Sequence, residues 1–128
     1  MRNLKPLSMM LKLKHSEVWL ANLNPGRGTE PGKTRPVLIV QSQALLDAGH
    51  PSTLVLPLTT RLIEDAEPLR LRLPAQDQLD QDSDVLVDQL RAVDNRRLMG
   101  EALATCDAVF MRRVYAALCE VMDVPNIV

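Results

Sequence analysis

Aromatic side chains are almost missing from this chain: one Trp, one Tyr and one Phe stand among 128 residues. A core stacked from rings is therefore excluded, and Val, Leu, Ile and Ala must supply the buried surface. With 46% hydrophobic residues there is enough of it to fold, so disorder is excluded too. Cysteine is equally scarce. Cys106 and Cys119 lack metal-ligand spacing and have no histidine cluster beside them, which leaves two reduced thiols and a cytoplasmic protein as the expectation. Apolar runs are short, and none approaches the roughly 18 residues needed to span a membrane. The basic start, MRNLKPLSMMLKLKH, is interrupted by Lys12 and Lys14 and makes a poor signal peptide.

At 128 residues the chain is one domain. Residues 1–15 read as a loose basic extension and residues 16–128 as a single domain. The net charge of −1 hides an asymmetry. Residues 1–41 carry seven Lys/Arg against two acids, and residues 42–128 carry eight against fourteen. A locally positive face on a nearly neutral protein suits a phosphate or nucleic-acid partner, although a solvated, uneven surface gives the same count.

The positive end contains the most informative stretch, Asn24 to Pro36, with three glycines and three prolines in thirteen residues. That composition forbids a helix and interrupts a strand ladder. It offers one carboxylate (Glu30), two hydroxyls (Thr29, Thr34) and three cations (Arg27, Lys33, Arg35), and leads directly into the β-branched run Val37–Val40. A polar loop fixed by a buried strand is a common place for binding and catalytic groups.

The remaining pattern predicts strands over 17–23, 36–41, 53–58 and 69–73, the last alternating Leu and Arg with one wet face. Ser42 to Gly49 reads as a capped helical turn, 74–83 as an acidic loop, and 84–94 as one further strand. Phe110, Val114, Ala117, Leu118 and Val121 then recur at helical spacing, with Thr105 or Asp107 as the cap. About five short strands followed by one amphipathic helix predict a mainly β protein, a small β-barrel carrying a C-terminal helix.

The segments EVWLANLNPGRGTEPGKTRPVLIVQ, LPLTT and VLVDQLRAVD, in this order, resemble the MazF/PemK family of toxin endoribonucleases from about Glu17 to Val121. The resemblance implies an SH3-like barrel with a C-terminal helix. It also implies a homodimeric, sequence-specific mRNA endoribonuclease that needs no metal or other cofactor and is silenced by a cognate antitoxin protein. Arg35 falls at the family's catalytic arginine, Thr59 at its functional threonine, and Glu30 at an acidic loop residue used by some members. Arg27, Thr29, Lys33, Thr34, Thr60, Asp88 and Gln89 become candidate contacts to single-stranded RNA. Leu86 and Thr29 occupy positions where some plasmid-borne relatives carry Arg and His, which puts the chain on the MazF side.

The chemistry agrees with these residue types. Metal-free RNA cleavage uses the neighbouring 2′-OH as nucleophile and leaves a 2′,3′-cyclic phosphate and a 5′-OH. It needs a base, an acid and positive charge on the phosphorane. A guanidinium suits the last task because it meets two phosphate oxygens at once; Glu30 is the available base. Simpler roles stay open for each residue: Arg35 paired with Glu30, Thr59 and Thr60 shaping a turn, Asp88 and Gln89 bonding a neighbouring loop. Trp19 reads as core, and His15 and His50 as ordinary surface residues. Two other functions fit the same fold without the Arg/Thr/Glu set: a toxin that blocks a protein target such as DNA gyrase, and an inactive SH3-like binding module.

Overall fold

The computed structural model describes residues 11–125. Most of the proposed extension, residues 1–10, lies outside them. Within residues 11–15, Leu13 is buried in the cluster that holds Trp19, Leu23 and Ile39, while Lys12 and Lys14 are exposed.

Seven strands form one antiparallel sheet: β1 (Glu17–Asn22), β2 (Thr34–Ile39), β3 (Ser52–Thr59), β4 (Arg70–Leu73), β5 (Ser83–Leu86), β6 (Arg91–Asp94) and β7 (Leu98–Thr105). Their order is β4-β5-β3-β2-β1-β7, with β6 also paired to β3. The expected barrel is thus a rolled sheet that does not close fully through its strands. The hairpin after β4 reaches across to β7 through one bond, from the Gln78 amide to the Leu103 carbonyl at 2.9 Å.

Alternation along the central strands divides the apolar residues between two clusters. Leu38, Leu56, Leu58, Leu71, Leu73 and Val85 pack with the C-terminal helix, and Val37, Ile39, Val55, Ala21 and Trp19 form the second cluster. The helix α2 (Ala108–Met122) buries Phe110, Val114 and Ala117 of the predicted stripe, adds Met111, and leaves Leu118 and Val121 half-buried against the same cluster. Of its two candidate caps Asp107 is the one used: its carboxylate accepts from the Phe110 amide at 2.8 Å, and Thr105 belongs to β7 instead. The predicted turn after β2 is α1 (Gln43–Asp47), capped by Ser42.

Two expectations change. The single strand expected over 84–94 is split into β5 and β6 by a 3-10 turn, Val87–Gln89. Both halves run along β3, β5 against Leu58 and Thr59 and β6 against Ser52 to Val55, so the turn leaves Leu56 and Pro57 unpaired on that side. Proline has no backbone donor for a ladder, and the chain bulges outward where that donor is missing. Strand β7 escapes the sequence pattern because LMGEALAT carries little β propensity. It is formed by pairing with β1, through an irregularity between Val18 and Leu20 and a Gly100 with φ of 73°.

Two measurements test this packing. Removing the helix cap with Asp107→Ala should cost about 1 kcal/mol of unfolding free energy and lower the melting temperature without changing the native circular dichroism spectrum. Burial, aided by the neighbouring Asp107 charge, pushes the Cys106 thiol up to about 12. Alkylation of the native protein at mildly alkaline pH should therefore modify half-buried Cys119 and leave Cys106 intact until denaturant is added. Equal labelling of both thiols in the native state would contradict the described core.

Candidate functional site

The loop between β1 and β2 is held closed at a narrow neck. The Leu23 amide donates to the Lys33 carbonyl at 2.8 Å, and the Lys33 amide donates to Asn24 Oδ1 at 2.6 Å. Inside this pair Gly26 and Gly32 lie backbone against backbone. A Cβ on Gly32 would sit 2.6 Å from the Gly26 nitrogen, and one on Gly26 would sit 2.8 Å from the Gly32 nitrogen. Any side chain at either position would prise the neck apart. Beyond it, the Glu30 amide donates to the Arg27 carbonyl at 2.8 Å and makes a tight tip, with Gly28 at φ of 56°. Arg27, Thr29 and Glu30 occupy this exposed tip; Lys33 and Thr34 are exposed at the base.

Arg35 stands just past the neck in β2, half-buried, and its Nε donates to the Gly32 carbonyl at 2.8 Å. That bond anchors the guanidinium by one corner. No acid pairs with Arg35 among the described residues, so the simple alternative of an Arg35–Glu30 ion pair is absent there. Thr59 closes β3. The β2–β3 register, Val37 opposite Pro57 and Leu38 opposite Leu56, carries forward to set Arg35 opposite Thr59. Both fall on the face of the sheet that holds Val37 and Val55, because residues two apart in a strand share a side. Residues 24 positions apart in sequence are thereby carried to the same end of the sheet, two residues past the last bonded pair, Val37 and Pro57. The Thr59 hydroxyl oxygen accepts from the Arg61 amide at 3.2 Å, and Thr60 is exposed beside it, on the opposite face.

The other candidates lie further off. Asp88 is exposed and Gln89 half-buried in the 3-10 turn that bulges beside Leu56 and Pro57, two to three residues along β3 from Thr59. The register brings Arg35 and Thr59 to the end of the sheet where the loop's base lies, and the structure puts Glu30 at the loop tip and sets Asp88 and Gln89 further along β3. Among the described residues no three His, Cys, Asp or Glu side chains gather as metal ligands.

Two residues, Arg97 and Asp84, matter without belonging to any sequence motif, and a third, His15, is placed differently from its expected surface position. Arg97 reaches from the turn before β7 and donates from one terminal nitrogen to the carbonyls of Asn22 at 2.9 Å and Asn24 at 2.7 Å, clamping the loop's first leg. Nothing in the run Asp94–Arg97 marks it out from Arg96, which pairs with Asp94 instead. Asp84 is 1% exposed at the start of β5. It accepts from Arg72 Nε at 2.7 Å, the Ile63 amide at 2.9 Å and an Arg70 terminal nitrogen at 3.2 Å. Burial works to raise its pKa, but the bonds from Arg72, Ile63 and Arg70 prevail and hold the carboxyl below the usual carboxylate range. A signal was present: an acid inside the otherwise apolar strand S-D-V-L needs cations, and Arg70 and Arg72 alternate along the adjacent strand. His15, expected as plain surface, is half-buried, with Nδ1 2.9 Å from the Gln41 carbonyl and its ring stacked on Tyr115. Trp19 is core, as expected.

Comparison with known proteins agrees with this fold. The structure is similar to that of MazF from Deinococcus radiodurans, with a TM-score of 0.73 and 25% identity, covering 88% of this chain and 97% of that one. It is similar to the Mycobacterium tuberculosis toxin MazF-mt6, with a TM-score of 0.70 and 22% identity over 86% of this chain and 99% of that one. It is also similar to a mycobacterial endoribonuclease solved with its cognate antitoxin, with a TM-score of 0.68 and 19% identity over 89% and 98% of the two chains. The model of the PemK-like, MazF-like toxins matches residues 14–122. The chain therefore belongs to the PemK-like, MazF-like toxin family of type II toxin–antitoxin systems.

Proposed function

We propose that this protein is an endoribonuclease that cuts single-stranded RNA through the RNA's own 2′-OH, without a metal ion. One observation carries the reading: Arg35 and Thr59 fall on one face toward one end of the sheet, and among the described residues the Arg35 guanidinium is anchored through Nε. The two terminal nitrogens of Arg35 are left to meet the phosphate, where they would stabilise the charge that builds up on the phosphorane. The Thr59 hydroxyl would donate to a non-bridging oxygen of the same group. The 2′-oxygen forms a bond to phosphorus as the bond to the 5′-oxygen breaks, giving a 2′,3′-cyclic phosphate and a 5′-OH. Glu30 on the loop tip takes the 2′-OH proton, and Arg35 in a water-poor site gives one to the leaving oxygen.

The exposed tip and base of the loop, through Arg27, Thr29, Lys33 and Thr34, would hold and read the RNA, with Thr60 at the end of β3. Asp88 and Gln89, about 10 Å further along β3, would meet nucleotides away from the cut. With Trp19 buried, base reading rests on hydrogen bonds and loop shape more than on stacking. The assembly is a homodimer with RNA sites near the interface, acting in the cytoplasm. A separate antitoxin, partly disordered until it binds, would cover the cationic loop with acidic and apolar residues. The mycobacterial endoribonuclease bound to its antitoxin lends support to that partner.

Purified protein incubated with total RNA should cut it in excess EDTA, and a 2′-deoxy substitution at a mapped cut site should abolish cleavage there. Arg35→Ala should reduce the rate by about 100-fold or more, as for loss of a transition-state charge donor, while the melting temperature stays close to wild type. Cleavage that disappears with EDTA and returns with Mg²⁺, or an Arg35→Ala protein as active as wild type, would overturn the proposal.

A further inference from the structure

The cluster formed by Asp84, Arg70 and Arg72 lies outside the Arg35–Thr59 pair, yet two of its bonds end on the chain segment that follows Thr59. Asp84 faces Thr59 directly in the β5–β3 register. Its carboxylate oxygen Oδ2 accepts from the Ile63 amide at 2.9 Å and from Arg70 at 3.2 Å. The same terminal nitrogen of Arg70 donates to the Arg61 carbonyl at 2.8 Å. The segment from Arg61 to Ile63 is thus held at one carbonyl and one amide, both traceable to a single buried carboxylate. Arg61 is the residue whose amide donates to the Thr59 hydroxyl oxygen.

We propose that Asp84, acting through Arg70 and the 61–63 segment, is a positioning residue that fixes the Thr59 hydroxyl as a hydrogen-bond donor. This rests on the endoribonuclease reading and assigns how Thr59 is prepared for it. A hydroxyl has two lone pairs and one proton. Held by the Arg61 amide, the Thr59 oxygen has spent an acceptor position, and the rotation that keeps that bond turns the proton away from the amide. A proton so directed serves an anionic phosphate oxygen; a freely rotating hydroxyl would do so only part of the time. Preorganisation of this kind needs no rearrangement at the moment of reaction.

Arg72 provides the internal comparison. It binds the same carboxylate, through Oδ1, but its other contact is the exposed Glu64 side chain rather than the 61–63 backbone. A purely structural role for the cluster makes Arg70 and Arg72 equivalent; a positioning role makes them unequal.

The test uses full-length protein and an oligoribonucleotide spanning a cut site mapped on total RNA. Arg70→Gln should lower kcat by about 10- to 100-fold, the range expected of a small misplacement of a catalytic group, with KM little changed. Arg72→Gln should lower the melting temperature by a similar amount and leave kcat near wild type. In a Thr59→Ala background Arg70→Gln should have no further effect on kcat, since the group it positions is gone. Amide hydrogen exchange supplies a readout independent of cleavage: the Arg61 amide should lose protection in Arg70→Gln and in Asp84→Asn, and keep it in Arg72→Gln. Equal kcat losses for the two arginine variants, full additivity with Thr59→Ala, or unchanged Arg61 protection would each overturn the inference. They would do so even where Arg35→Ala is inactive, so this result and the fate of the nuclease reading are separable.

Discussion

Antiparallel pairing along β3 is the constraint on which the rest of the structure depends. Its one edge bonds to β2, and its other edge bonds first to β6 and then to β5. Everything of chemical interest is located by counting along this strand. The sheet register ends its β2–β3 pairing at Val37 and Pro57, two residues short of Arg35 and Thr59, sets Asp84 opposite Thr59 from the other side, and puts the 3-10 turn bearing Asp88 beside Pro57. A slip of one residue on either edge would turn each of these side chains to the wrong face. Two apolar clusters make such a slip costly, because Val55 belongs to one and Leu56 to the other. The hydrophobic pattern that stabilises the fold is therefore also what holds the site's geometry.

Charge is distributed by the same logic. The cations of β4 are neutralised locally: Arg70 and Arg72 surround Asp84, and Arg113 on the helix pairs with Glu67. At the loop end the arginines are held by neutral carbonyls, Arg35 by that of Gly32 and Arg97 by those of Asn22 and Asn24. A carbonyl orients a guanidinium without cancelling its charge. The difference matters for anion binding, since a guanidinium already paired with a carboxylate must exchange one anion for another, whereas one leaning on a carbonyl keeps its field. The imbalance of charge along the chain becomes a positive end through this choice of partners.

The parts of the fold that the sequence made legible are those set by local pattern. Helix α2 follows from apolar spacing and a cap at Asp107, β4 from its Leu/Arg alternation, and the β1–β2 loop from its glycines and prolines. The parts that escaped are set by partners far away. Strand β7 exists because β1 offers an edge, and the break at Val87 appears because Pro57, thirty residues earlier, leaves a gap in the ladder. The candidate site divides in the same way. Arg35, Thr59 and the loop are marked by motif, and the register carries them to one end of the sheet. Arg97 carries no local mark of its partners, which lie 73 or more residues away; Asp84 is marked only as an acid in an apolar strand, and its partners 12 to 21 residues away come from the fold.

One end of the sheet combines a fixed neck with a lightly held tip. The neck of the loop is over-determined: the Leu23–Lys33 bond, the Asn24 side chain, the Gly26–Gly32 contact and the Arg97 clamp all act within a few residues. The tip beyond it is held by one backbone bond between Glu30 and Arg27, and its side chains are exposed. Fixing the neck fixes Arg35, because the carbonyl that holds its Nε belongs to Gly32. Leaving the tip lightly bonded lets Arg27, Thr29 and Glu30 follow the shape of whatever binds at small energetic cost, since few contacts must break. A group that stabilises charge gains from being immobile, whereas groups that recognise a flexible single strand gain from yielding. The two glycines mark the boundary between these demands, and a side chain at either would prise the neck apart and release Arg35 with it.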